Sequence, residues 1–219
     1  MNESTVLLTL ATIHFIALMS PGPDFALVVQ NATRYGRQTG FYIALGLSVG
    51  IALHSFLSLT GVSFVIHQHP LVYTVIQFMG GSYLLYLGIK ALRGVISLIK
   101  TPNSDQQSKP TSLVISNKRH AFTKGFMTNI LNPKALVFFV SLMSSIVPVG
   151  MSTVGKAIAL VILFVLSLVW FSSLAWMLST PRLQQLLHQV AIYIDGICGA
   201  VFTLVGGSIF LTTLSQFLH

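Results

Sequence analysis

Asp24 and Lys134 are the residues of this chain best suited to handling a charged small molecule. Each follows a proline inside an otherwise apolar run: Asp24 closes "MSPGPD" and Lys134 closes "NILNPK". Unpaired charges at mid-bilayer cost about 3 kcal/mol each on insertion scales, so both need partners. One outcome is a salt bridge that holds two helices together. The other is a central site for a small solute that carries charge of both signs. There, Lys134 and the N–H groups after Pro133 would bind a negative group, while Asp24 and the carbonyls before Pro21 would take a positive one. Asn129 and Asn132, three residues apart on one helical face, would complete the polar pocket. Asn31 lies seven residues beyond Asp24 on the same face and would line the cytoplasmic approach. Asp24 is also the natural proton carrier, because its protonation could alternate with substrate occupancy.

Other polar residues carry weaker signals. His54, with Ser58 one turn on, could join a proton path; an interhelical hydrogen bond is the simpler role. His67 and His69 share a short "HQH" stretch, too little to indicate a metal, and no metal or cofactor is expected. Asp195 is expected near the start of the last span, where a helix N-terminus favours a negative charge without any function. Trp170 and Trp176 read as packing and interface residues.

These residues must be positioned by membrane helices. Of the 219 residues 53% are hydrophobic and 7% charged, against about 25% charged in a soluble domain. Residues 41–66, 71–89, 135–151, 157–181 and 196–219 carry no charge, and each block approaches or exceeds the ~20 residues that span a bilayer. Six spans are expected, at about 5–31, 41–66, 71–93, 121–147, 154–179 and 192–217. The first segment begins "MNEST", without Lys or Arg, and so reads as a retained helix rather than a signal peptide. Cys198 stands alone, which excludes an intramolecular disulfide and a two-cysteine redox relay.

Arg34 and Arg37, the cluster from Lys90 to Lys124, and Arg182 fall on one side of such a six-span chain. The positive-inside rule makes that side cytoplasmic and puts both termini outside. The same asymmetry accounts for the +8 net charge, and no basic patch with interleaved aromatics suggests nucleic acid. Residues 97–119 are rich in Ser, Asn, Gln and Pro and read as a cytoplasmic linker. It separates two three-helix halves, 1–96 and 120–219.

An odd number of spans per half makes the halves enter from opposite faces, the pattern of inverted-repeat transporters. The fold class expected is therefore all-α and polytopic, two inverted three-helix repeats with helices 1 and 4 broken at prolines. Pro21-Gly22-Pro23 and Asn132-Pro133 sit at matching places in the two halves, and such breaks survive only inside protein or beside water. Gly81 and Gly88 in span three, like Gly199 and Gly206 in span six, are two turns apart and permit close helix contact. Gly46 and Gly50 form a further small-residue pair in span two.

The stretches "ALMSPGPDF", "GGSYLLYLGIKALRG" and "FTKGFMTNILNPKALVFF" resemble the lysine exporter superfamily of bacterial amino-acid efflux proteins, closest to its homoserine/threonine branch. The resemblance covers nearly the whole chain. It implies a multi-pass protein of the bacterial cytoplasmic membrane, not an enzyme, that expels amino acids by proton antiport. Members that export lysine or arginine typically have Gln after the first Pro-Gly-Pro and another residue after the later Asn-Pro. Asp24 and Lys134 thus favour a neutral, threonine- or homoserine-like substrate. The alternatives are an exporter of metal ions or another small cation, and a passive channel. A homodimer is allowed by the residues and not required by them.

Overall fold

The computed structural model describes residues 2–20, 22–68, 70–100, 117–148, 150–177 and 181–218. Among them it is all-helical: α1 (Glu3–Met19), α2 (Pro23–Tyr35), α3 (Arg37–Gln68), α4 (Pro70–Lys100), α5 (Lys118–Ile130), α6 (Pro133–Ile146), α7 (Thr153–Met177) and α8 (Pro181–Leu218). Four of these helices are long and apolar enough to cross a membrane. The pairs α1–α2 and α5–α6 are bent by 57° and 59°, and counting each pair as one span brings the number to six. The expected linker begins later and ends earlier than its composition suggested, because α4 continues to Lys100 and α5 starts at Lys118. Its central residues 101–116 lie outside the described residues, as do Pro21 and His69.

The helix starts follow from local chemistry. Proline fixes φ and lacks the N–H that a first turn leaves unpaired, so it suits the first helical position. Pro23 and Pro133 occupy that place in α2 and α6. Asn132 caps α6: it is extended, and its Oδ1 accepts the Lys134 N–H at 3.0 Å. Pro181 opens α8 eleven residues before the expected start of the last span at 192, and this corrects Asp195. Asp195 lies in the interior of α8 rather than at its N-terminus.

Large apolar side chains cover the outside of the bundle as well as its core. Leu71, Val161, Val169, Leu204 and Leu211 are exposed, whereas His14, Ser48, Ser55, Asn129, Ser141 and Ser167 are almost completely buried. A bilayer solvates the first group, and inside the bundle His14, Ser48, Asn129 and Ser167 find hydrogen bonds. Trp176 is exposed beneath the Arg37 guanidinium, 5.5 Å from its ring, and Trp170 stacks edge-on with Phe15, in keeping with interface and packing roles.

Glycine-mediated contacts help to hold the bundle. On α4, a methyl group at Gly88 would lie 2.4 Å from the Thr203 nitrogen of α8. One at Gly206 of α8 would lie 2.3 Å from the Leu85 nitrogen. On α3, a methyl at Gly46 would meet the Phe122 carbonyl oxygen at 2.1 Å, and one at Gly125 of α5 would meet the Ile43 carbonyl at 2.3 Å. The backbones of α3 and α5 therefore touch, and one turn further along Gly50 packs against the side chain of Asn129. This contact delivers Asn129 to the centre of the molecule.

Gly46→Ala is expected to lower thermal stability in detergent by about 1–3 kcal/mol, as overpacking against rigid backbone does. Gly61→Ala, where nothing lies within 4 Å, should leave the midpoint unchanged or slightly raised. Equal midpoints for the two variants would remove the close α3–α5 contact from the account.

Candidate functional site

Both bent pairs turn inward at their breaks and bring polar groups to a single cavity. Asp24 stands in the first turn of α2, half-buried, just past extended Gly22. A carboxylate there is favoured by the helix dipole. Across from it, Asn129 Nδ2 donates to Asp24 Oδ2 at 2.6 Å, and Asn132 Nδ2 donates to Oδ1 at 3.3 Å. The two carboxamides flank the α5–α6 break, one at the end of α5 and one capping α6. Residues more than a hundred positions apart thus meet on one carboxylate.

Lys134 does not complete a salt bridge with Asp24, so of the two outcomes open in the sequence the direct ion pair is not the one seen. Its Nζ donates to Ser20 Oγ at 2.9 Å and lies 5.7 Å from the centre of the Phe202 ring. The reason is local: the Lys134 side chain reaches over the α1–α2 break, where a methyl on Gly22 would lie 3.5 Å from Nζ. The carboxylate is meanwhile occupied by two neutral amides. Both charges nonetheless line the same cavity, which Phe138, Phe139 and Phe202 close on its apolar side. Among the described residues, no group of three or more His, Cys, Asp or Glu could hold a metal ion.

The other expected site residues divide. Gly22, Pro23, Asn129, Asn132 and Lys134 line the cavity with Asp24. Pro133 positions it as the first residue of α6. Asn31 is buried but turns its amide back to the Leu27 carbonyl of its own helix at 2.7 Å, away from the cavity lining. The expected donors at the α6 N-terminus are also reduced, because the Lys134 N–H is held by its own cap residue. His54 makes an interhelical contact, with Nε2 3.3 Å from the Asn129 carbonyl oxygen, and its ring stacks on Phe139 at 6.2 Å. It thereby braces the end of α5 where Asn129 projects.

Two polar lining residues carry no signal in the sequence: Ser20, the partner of Lys134, and His14. His14 of α1 is buried, and its Nε2 lies 2.8 Å from Ser167 Oγ of α7. Ser167 in turn donates to the Leu163 carbonyl at 2.7 Å, so its oxygen accepts from histidine. His14 sits on a buried stripe with Val6, Leu10 and Leu18 at four-residue spacing. Because α1 is apolar on every side, that stripe gives no signal in the sequence.

The arrangement can hold a molecule that carries one negative and one positive group. The neutral partners on each charge are ones that such a ligand could replace.

Known proteins resemble this chain along most of its length. It is 32% identical over 196 residues to the threonine efflux protein of Escherichia coli K12, covering 89% of this chain and 92% of that one. An uncharacterized membrane protein of Haemophilus influenzae is 29% identical over 215 residues, 98% of this chain and all of its own. The leucine efflux protein of Klebsiella pneumoniae is 31% identical over 143 residues, 65% of this chain and 63% of that protein. No solved structure matches. The family model described as LysE type translocator matches residues 15–213, a stretch that contains both helix breaks and every residue of the cavity but His14. With most of its length matched, the chain belongs to the LysE type translocator family.

Proposed function

We propose that this protein exports small neutral amino acids of the threonine and homoserine type from the bacterial cytoplasm, in exchange for protons. One observation carries the reading: Asp24 and Lys134 face one cavity without bonding to each other, each held by neutral side chains. A zwitterion brings an ammonium for the carboxylate and a carboxylate for the lysine. Each exchange replaces a contact between a charge and a neutral dipole by one between opposite charges, which attract more strongly in a site of low dielectric. The names of the threonine and leucine efflux relatives support the same substrate class.

The two halves, 1–96 and 120–219, act in this proposal as inverted repeats joined by the cytoplasmic linker. The bends of 57° and 59° then correspond, and the site lies on the pseudo-two-fold axis. Both termini face outward. Asp24 takes up a proton from outside when the ammonium has left, and a new ammonium from the cytoplasm displaces that proton. Lysine, with a second ammonium and no second carboxylate to receive it, is excluded.

Proteoliposomes loaded with threonine, homoserine, leucine or lysine test this under an imposed proton gradient. Threonine or homoserine efflux is expected and lysine efflux is not; no response to any of the four would sink the reading. Asp24→Asn preserves the shape of the site but not its charge, and gradient-driven threonine efflux should be lost. Undiminished efflux would remove Asp24 from the coupling step. Lys134→Gln should raise the half-saturation concentration for threonine about 10- to 100-fold, the cost of one charged hydrogen bond. An unchanged value would return Lys134 to a structural role.

A further inference from the structure

A second cavity lies on α1, α4, α6 and α8, four of the elements that line the first, and its lining is displaced along each of them in a consistent sense. On α1 it begins at Ile13, directly before His14 of the central site. On α4 it is reached at Gln77, N-terminal to Leu87 of the central site. On α6 it is reached at Ser145, C-terminal to Phe139, and on α8 at Val205 to Thr213, C-terminal to Phe202. The shift is toward the N-terminus of α1 and α4 and toward the C-terminus of α6 and α8. In an up-and-down bundle those four ends share one face of the membrane, the face that carries the chain termini.

The second cavity is uncharged and rich in acceptors. Gln77 Nε2 donates to Tyr73 Oη at 2.8 Å and to the Ser144 carbonyl at 3.0 Å, which leaves Gln77 Oε1 as the acceptor. The hydroxyls of Ser208, Thr212 and Thr213 donate to carbonyls of their own helix at 2.8 Å, so their lone pairs remain available. Such a wall suits a group with several N–H donors, and the ammonium of an amino acid is one.

Between the residues that line the two cavities on α4 and α6, those two helices meet. The helices α4 and α6 approach so nearly that a methyl on Gly80 would lie 2.0 Å from Ser141 Oγ. Beside that contact Leu84 and Leu142 are both fully buried. Leu142 lies one turn past Phe138 of the central site and one turn before Ser145 of the second. On α8, Phe202 and Val205 are separated by about 4.5 Å of helix rise.

We infer that the second cavity is the exit vestibule of the export pathway, binding the departing amino acid by its ammonium group, and that the Gly80–Ser141 contact with Leu84 and Leu142 is its closed gate. The inference rests on the amino-acid reading above and adds to it a second solute site and the layer that divides the two.

Cysteine labelling tests it in a Cys198→Ala background that still exports threonine. A membrane-impermeant thiol reagent is applied to vesicles from each side in turn. Ser208→Cys should react from the side bearing the termini, excess threonine should slow the reaction, and modification should abolish threonine efflux. Ser20→Cys in the central site should resist the reagent from that side, and adding Leu142→Ala should make it reactive. Ser208→Cys that is unreactive, reactive only from the linker side, or modified without loss of efflux would overturn the vestibule. Ser20→Cys reacting as fast as Ser208→Cys would overturn the gate. If the parent exports none of the amino acids, the functional reading fails by itself, while the sidedness of labelling still decides where the vestibule opens.

Discussion

Hydrocarbon offers no hydrogen bonds, so a charge and a broken helix inside the bilayer must be satisfied by the protein itself. The rest of this structure depends on how that demand is met at Asp24. Its carboxylate sits in the first turn after one break and receives the carboxamides of Asn129 and Asn132 from either side of the other. Side chains from one break therefore satisfy the charge that stands beside the other. The close α3–α5 approach through Gly46 and Gly125, the brace from His54 to the Asn129 carbonyl and the Asn132 cap on α6 all bear on where those amides point.

This solution leaves Lys134 apart from Asp24. A direct ion pair would be the stronger contact between the two, and it would also have to be broken before a zwitterion could bind. Neutral partners satisfy each charge at lower strength, with Ser20 on the ammonium and the two amides on the carboxylate. A site built this way is set up for a ligand with one charge of each sign. The aromatic wall of Phe138, Phe139 and Phe202 then limits what the remainder of that ligand can be.

Much of this was legible in the chain before any coordinates. Charges are so scarce that Asp24 and Lys134 stand out, and prolines in apolar runs mark helix starts at residues 23 and 133. What could not be read depends on which face of a helix looks inward. In a soluble protein polarity reveals that face. In α1, apolar all round, His14 gives no hint that it meets Ser167 on α7, 153 positions away. Helix extent was hidden for a related reason. The charge-free block begins at Gly196, yet Pro181 starts α8 with a polar turn and places Asp195 in its interior. The partner of Lys134 could not be read either: opposite charges suggest each other, whereas the lysine lies over Gly22 and donates to Ser20.

The central claim is that an amino acid's ammonium and a proton compete for Asp24. Calorimetric titration of the purified protein with threonine, in buffers of different ionisation enthalpy, measures that competition directly. Proton release on binding, absent from the Asp24→Asn variant, is the result this account predicts. Tight threonine binding with no proton exchanged would contradict it.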